Sequence, residues 1–353
     1  MQPTDSIQNV SSIILEKQKT ISFFEQLLNA PIYFTTSCTT ALELAAMAIG
    51  IQPGDEVIVP SYTFVGTVNA FAKLGATIIF IDVEPNTMCL DISLLEKSIT
   101  SKTKAIVPVH YAGNSCNMQA IIEIAKAKNI YVIEDAAQCI FSYQQQKHVG
   151  TLGDIGCISF DYAKNIECGQ GGLVIVNNPD LIDKIDKAYH NGTNKKDFLN
   201  GISQNFEWQT LGSNFVLSDI HFSILYPQIL DAENIQRHRK EQWNFYYEKL
   251  QILEKENLIH LQPALGEGNA HIFYFKTNER NELLNYLRKN DIEATFHYVP
   301  LHSSTKGKEY RYVTQNDNTT IESKRIIRLP LGKNIDIETQ HKTIQLIFSF
   351  YKK

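Results

Sequence analysis

The chain has 353 residues, 43% of them hydrophobic, with a formal net charge of −5, enough apolar material for one large domain and a smaller one. Its basic residues form no block, which argues against nucleic acid or an anionic membrane as partner and for small-molecule chemistry. The opening "MQPTDSIQNV" has neither a basic n-region nor an apolar h-region, and no apolar run reaches bilayer length, so a cytoplasmic protein is expected.

From Thr40 to about Asn191 helix-like and strand-like segments alternate. After the helical pattern "TALELAAMAIGI" come "EVIVP", "TVNAFAKLG", "ATIIFIDV", "ISLLEKSI", "KAIVPVHY", "NMQAIIEIAKAKN", "IYVIEDAA", "DIGCISF" and "GGLVIVNN". The strands are short unbroken runs of Val and Ile, as expected where helices cover both faces of a mostly parallel sheet, so the fold class is α/β. "QPGDE" and "AKLGAT" mark turns, and "NPD" caps a helix beginning near Leu181. Beyond "GSNFVLSD" the pattern predicts one long polar helix over roughly Ile220 to Leu250, crossing into a smaller α+β unit that holds "AHIFYFKT", "NELLNYLRKND" and "EATFHYVPL". The expected division is 1–230 and 231–353. Six cysteines, Cys38, Cys89, Cys116, Cys139, Cys157 and Cys168, lack metal-ligand spacing and read as buried thiols, with no metal site.

Ligands of open parallel sheets sit beyond the carboxyl ends of the strands. There the sequence places Tyr62, Thr63 and Phe64, His110 and Tyr111, Asp135 and Gln138, and Ser159 followed by Lys164. Singly these fit ordinary roles: Asp135 as a turn cap, His110 as a hydrogen-bonded structural residue, Lys164 as a solvated loop charge. Together, a carboxylate at one strand end and a lysine at another are the two charged groups needed to hold and use pyridoxal phosphate. The lysine condenses with the cofactor aldehyde, and the aspartate keeps the pyridine nitrogen protonated. Ser37, Cys38, Thr39 and Thr40 open a helix, where free N–H groups favour a phosphate, although a Ser or Thr N-cap alone explains them too. Ser159 is placed to add a hydroxyl and Phe64 to stack on the ring. The glycines of "GQGG" read as a tight turn.

Over nearly its whole length the chain resembles the sugar-nucleotide aminotransferases among the fold-type-I pyridoxal-phosphate enzymes. The motifs are "SCTTALELAA", "IQPGDEVIVPSYTFVGTVNAF", "IVPVHYAG", "VIEDAAQ", "SFDYAKN", "GQGG", "GSNFVLSD", "FHYVPLH" and "RLPLG". Within that family it is most similar to the dTDP-4-amino-4,6-dideoxygalactose transaminases, through "IQPGDEVIVPSYTFV", "IVPVHYAG" and "HNGTN". The resemblance implies Lys164 as Schiff-base lysine and proton carrier and Asp135 as partner of the pyridine nitrogen. Gln138 would bond the ring hydroxyl, Phe64 would stack, and Cys38, Thr39, Thr40 and Ser159 would hold the phosphate. Asn214 would reach the phosphate from the neighbouring subunit of a homodimer whose active sites lie at the interface. Tyr62, His110, His297, Tyr298 and His302 are candidate substrate contacts, with aromatic packing as their plain alternative.

The implied reaction passes the amino group of L-glutamate to a dTDP-linked 4-keto-6-deoxyhexose for surface polysaccharide. The 3-keto regioisomer and a non-catalytic cofactor-binding regulator are the rivals; dehydratases of the same fold carry histidine in place of Lys164. This chain departs from the family pattern in Val216 for the usual arginine of "GxNxR", in Gln170 for a glutamate, and in "DYA" before the lysine.

Overall fold

The computed structural model describes residues 3–352, with side chains from residue 11 onward, so the reading of the first ten residues as lacking a leader lies outside the described side chains. Helix α1 (Pro3–Leu28) leads into strand β1 (Ile32–Thr35) and helix α2 (Cys38–Ala48). Alternation follows through β2 (Glu56–Pro60), α3 (Val65–Ala72), β3 (Thr77–Ile81), α4 (Leu95–Ser98), β4 (Thr103–Ile106), α5 (Met118–Lys128) and β5 (Tyr131–Asp135). A small hairpin, β6 (Tyr143–Gln144) and β7 (Lys147–His148), precedes β8 (Ile155–Ser159) and β9 (Gly172–Val176), then α6 (Ile182–Tyr189) and α7 (Lys195–Leu199).

Among the described residues the main sheet has eight strands in the order β1-β9-β8-β5-β4-β2-β3 and, at its edge, β12 (Arg311–Val313). Only β9 runs against its neighbours; the other pairings are parallel. The registers Asp135↔Cys157 and Ser159↔Gly172 bring the ends of β5 and β8 and the start of β9 to one edge, beside the turn from β1 into α2. Gly172 is required at that edge: a Cβ there would lie 2.4 Å from the Ser37 carbonyl carbon and 2.6 Å from the Cys38 nitrogen. Its absence lets the sheet approach the first turn of α2. On the far side α1 is anchored by buried Phe24, whose ring meets Phe34 at 5.6 Å and Phe160 at 5.4 Å.

The expected single helix over Ile220–Leu250 is two helices, α8 (Ile220–Leu230) and α9 (Ala232–Lys255), separated at Asp231. Pro227 inside α8 removes a backbone donor just before the break. Past α9, the strands β10 (His260–Leu261), β11 (Phe273–Lys276) and β13 (Ile326–Leu329) form a second sheet. It packs with α9, α10 (Arg280–Lys289) and α12 (Ile337–Tyr351) around Trp243, Tyr246, Phe273, Leu287 and Ile347. The 311–313 segment, which follows the first two strands of the second sheet in sequence and precedes helix α11 (Asn318–Ser323), crosses back to pair with β3 of the main sheet. None of the described helices is long and apolar enough to cross a membrane.

Candidate active site

A cleft of about 720 Å³ opens at the shared strand edge, lined by Thr39, Phe64, Asp135, Gln138, Ser159 and Lys164 among others. Asp135 ends β5 with both carboxylate oxygens held: Thr67 donates its hydroxyl to Oδ2 at 2.7 Å, and the Ala137 N–H donates to Oδ1 at 3.1 Å. These bonds fix the carboxylate's orientation from two sides. Lys164 lies on the turn after β8, where its N–H donates to the Asp161 carbonyl at 2.9 Å. Burial lowers the Lys164 pKa, the nearby Asp135 and Asp161 oppose the shift, and Arg328 adds to it. A neutral amine is therefore more accessible than on a surface lysine.

The start of α2 supplies the anion corner. Ser37 caps the helix by accepting the Thr40 N–H at 3.1 Å, while the Thr40 hydroxyl accepts the Ser37 N–H at 2.9 Å. Thr40 also donates to the Ser37 carbonyl at 2.8 Å and does not line the cleft, so its hydroxyl is taken up by the cap. Thr39 and Cys38 do line it, and so does the Ser159 hydroxyl, which accepts the Asp161 N–H at 3.3 Å and retains its own proton to donate. Gly66 leaves room beside them, since a Cβ there would come within 2.6 Å of the Thr39 Oγ1. Phe64 stands 60% exposed at the lip, its ring available to cover a flat ligand. Gln138 accepts the Ala112 N–H at 2.7 Å and donates to the Tyr298 hydroxyl at 3.1 Å. A primary amine, a fixed carboxylate, a helix N-terminus with two hydroxyls, and an aromatic lip form a donor set that fits a phosphorylated pyridine aldehyde.

The remaining predicted residues divide. His297 and Tyr298 line the cleft, their rings stacked at 4.3 Å. Tyr62 is fully buried behind them, packs on Tyr111 and Tyr298, and donates its hydroxyl to the His297 carbonyl. His110 borders the cleft but both its nitrogens are engaged: Nδ1 accepts the Cys116 N–H at 3.0 Å, which leaves Nε2 to donate to Glu134 at 3.0 Å. Glu134 in turn accepts the N–H groups of Gly150, Leu152 and Gly153, bracing the end of β5. His302 lies away from the cleft, bonded to Ser61 and Thr320 and stacked on Tyr312 at 3.8 Å. Asn214 is exposed and outside its own chain's cleft, held by a backbone bridge to His190.

Several cleft residues were not singled out from the sequence, among them Thr67, His271 and a cation. Arg328, in β13, projects into the cleft and contacts His297 Nε2 through Nη1. A charge inside the apolar run "IIRLPL" was the available signal, because a buried cation needs a reason to be there.

The model of the DegT/DnrJ/EryC1/StrS aminotransferase family matches residues 23–348. The chain is 34% identical over 270 residues to GDP-perosamine synthase of Escherichia coli O157:H7, covering 75% of this chain and 71% of that protein. It is 31% identical over 332 residues to the spore coat polysaccharide biosynthesis protein SpsC of Bacillus subtilis, covering 90% and 84%. A crystal structure of a DegT DnrJ EryC1 StrS aminotransferase from Brucella abortus superposes with a TM-score of 0.85 at 26% identity, covering 96% of this chain and 91% of that one.

Proposed function

The chain belongs to the DegT/DnrJ/EryC1/StrS aminotransferase family, whose cofactor is pyridoxal phosphate, and from that premise we propose a specific transfer. The enzyme moves the amino group of L-glutamate onto a dTDP-linked 4-keto-6-deoxyhexose in the cytoplasm. The product is a dTDP-4-amino-4,6-dideoxyhexose destined for surface polysaccharide. The carrying observation is the desolvated amine of Lys164 sharing one cleft with the doubly anchored carboxylate of Asp135.

When bound, the cofactor supplies an electron sink that makes the carbon next to the donor's nitrogen acidic. Lys164 takes that proton and returns it, and desolvation shifts its amine toward the neutral form the task needs. Asp135 stabilises a protonated pyridine nitrogen, held in place by Thr67 and the Ala137 N–H. Thr39, Ser159 and the first turn of α2 with Cys38 hold the phosphate, Phe64 covers the ring, and Gln138 meets its hydroxyl. Tyr298 and His297 close the wall contributed by the 231–353 unit, while 1–230 carries Lys164 and Asp135. The two-unit division follows this split of duties.

The likeness to SpsC, named for spore coat polysaccharide, supports a polysaccharide destination. The likeness to a GDP-perosamine synthase favours a second reading in which the nucleotide is GDP. The test is to incubate the purified holoenzyme with glutamate and, separately, a dTDP-4-keto, a GDP-4-keto and a dTDP-3-keto 6-deoxyhexose, identifying products by NMR. Amination of the dTDP-4-keto sugar is expected. Product from the GDP sugar alone would transfer the assignment to the second reading, and product from the 3-keto sugar alone would overturn the position. Glutamate should also convert the cofactor to its amine form in the wild type but not in Lys164→Ala, which has neither the lysine imine nor the proton carrier, with turnover in that variant down by roughly 1,000-fold or more. No change in the wild type would point instead to a cofactor-binding regulator.

A further inference from the structure

His271, just ahead of β11, is held at every polar atom but one. Its N–H donates to the Asn269 side-chain oxygen at 3.0 Å, and its carbonyl accepts from the buried guanidinium of Arg239, which also donates to the Ala270 carbonyl at 3.2 Å. Its Nδ1 lies 3.0 Å from the Asn165 side-chain oxygen. The Asn165 amide nitrogen donates to the Asn269 carbonyl at 2.9 Å, which turns the amide oxygen toward the ring. Nδ1 therefore carries the proton, and Nε2 is left with a lone pair. Among the described residues nothing donates to that lone pair, although His271 is only 5% exposed. Burial and the charges of Lys164, Arg239 and Arg328 keep the ring neutral. The residue lines both the cleft and an adjoining cavity of about 790 Å³, and so does Lys164.

We propose that His271 is a specificity-determining residue of the keto-sugar site, its Nε2 accepting a hydrogen bond from the hydroxyl beside the carbon that receives the amine. The partner follows by elimination. A lone pair cannot hold a carboxylate or a phosphate, which also only accept. The positive field of Lys164, Arg239 and Arg328 opposes a cationic donor at the same place. A hydroxyl donates a proton and brings no charge. Its position follows from the chain: Asn165, which fixes the ring, is the residue after Lys164, so the acceptor is tied to the turn that carries the reacting amine. Lys164 serves the carbon that takes the nitrogen. In a 4-keto-6-deoxyhexose that carbon is flanked by C5, which bears the methyl group, and by C3, which bears a hydroxyl. The C3 hydroxyl is the donor that His271 meets.

The inference rests on the amination of a 4-keto sugar proposed above, and its test separates the two. Wild-type, His271→Asn and His271→Gln holoenzymes are assayed with the dTDP-4-keto-6-deoxyhexose and with its 3-deoxy analogue, and kcat/KM for the two sugars is compared within each protein. Asn keeps an amide N–H where Nδ1 stood, so the bond to Asn165 survives while the acceptor is removed; Gln returns an oxygen near the place of Nε2. The wild type should favour the hydroxylated sugar roughly tenfold or more, because the analogue leaves a buried acceptor unpaired. In His271→Asn the preference should fall to within about twofold of unity, and His271→Gln should restore part of it. A preference in His271→Asn as large as in the wild type would overturn the proposal, even with both rates lowered, since equal losses on the two sugars belong to a residue that only braces the Lys164 turn. The wild-type comparison needs no variant: a ratio near one overturns the proposal whether or not the variants fold. A wild type whose cofactor is indifferent to glutamate, or that aminates neither 4-keto sugar, rejects the transfer reading and this inference with it, whereas an active wild type without the preference rejects the role of His271 alone.

Discussion

At the scale of single residues, hydrogen-bond roles decide function more than residue type does. His110 and His297 both border the cleft and are both engaged at two nitrogens, but His110 is tied to Glu134 and the Cys116 N–H, whereas His297 is tied to Arg328 and Tyr111 on the cleft wall. His148 shows what such engagement means for pH. It is buried, its Nε2 accepts the Phe141 N–H at 3.0 Å, and burial brings it down from 6.5 to about 4. Because the folded-state value is the lower one, the unfolded chain binds the proton first as pH falls. Stability fully present above 6.5 is therefore lost toward 4, with about 2 kcal/mol gone by pH 5 and about 3 kcal/mol in all. Urea midpoints measured between pH 7 and pH 5 should fall accordingly, and His148→Gln should flatten the decline; an equal slope in that variant would assign it to other groups. From the sequence, Lys164, Asp135, Ser159 and Phe64 could be located because strand ends are legible. Tyr62 and His302 could not be excluded, because which way a side chain turns after a strand depends on packing from distant segments.

Elements place these groups, and the first turn of α2 is the clearest case. Thr39 and Thr40 are neighbours with the same side chain, yet one lines the cleft and the other closes the capping box. Thr39→Val should lower cofactor affinity by roughly tenfold or more, the worth of a hydrogen bond to a charged group. Thr40→Val should instead leave that affinity unchanged and cost about 1 kcal/mol of stability. Cofactor titration and urea unfolding of the two variants separate the roles, and a loss of cofactor confined to Thr40→Val would restore Thr40 to the phosphate. The sheet itself was legible in the runs "EVIVP", "TIIFI" and "GLVIV", where β-branched residues and flanking turns agree. The parallel pairing of Arg311–Val313 with β3 was not, because a three-residue strand has no period and its partner lies more than two hundred residues upstream. The break at Asp231 was hidden by the apolar stretch "IHFSILYPQIL", which reads as helix on both sides of Pro227.

At the scale of the whole molecule, the surface from α7 to the start of α9 exposes apolar side chains that a solitary chain would leave to water. Ile202 is 75% exposed and Trp208 73%, with Leu199, Leu211 and Leu230 similarly open. A homodimer of the kind the sequence resemblance implies would cover them with a second copy, and the exposed Asn214 lies in the same stretch, outside its own cleft. If Asn214 completes the neighbour's phosphate corner, defects in Lys164 and Asn214 belong to different active sites of one dimer. Lys164→Ala and Asn214→Asp homodimers should each be impaired, the second through weakened cofactor binding, because the new carboxylate would oppose the phosphate. In a dimer containing one of each, both defects fall on one site and the other site is intact. Random assembly of co-expressed subunits makes half of the dimers mixed, so about a quarter of wild-type activity should return. Purification of the mixed dimer with two affinity tags raises the expectation to about half. Activity no greater than the sum of the two parents would place Asn214 at its own chain's site or outside catalysis, and a chain that sediments as a monomer while fully active would remove the interface altogether.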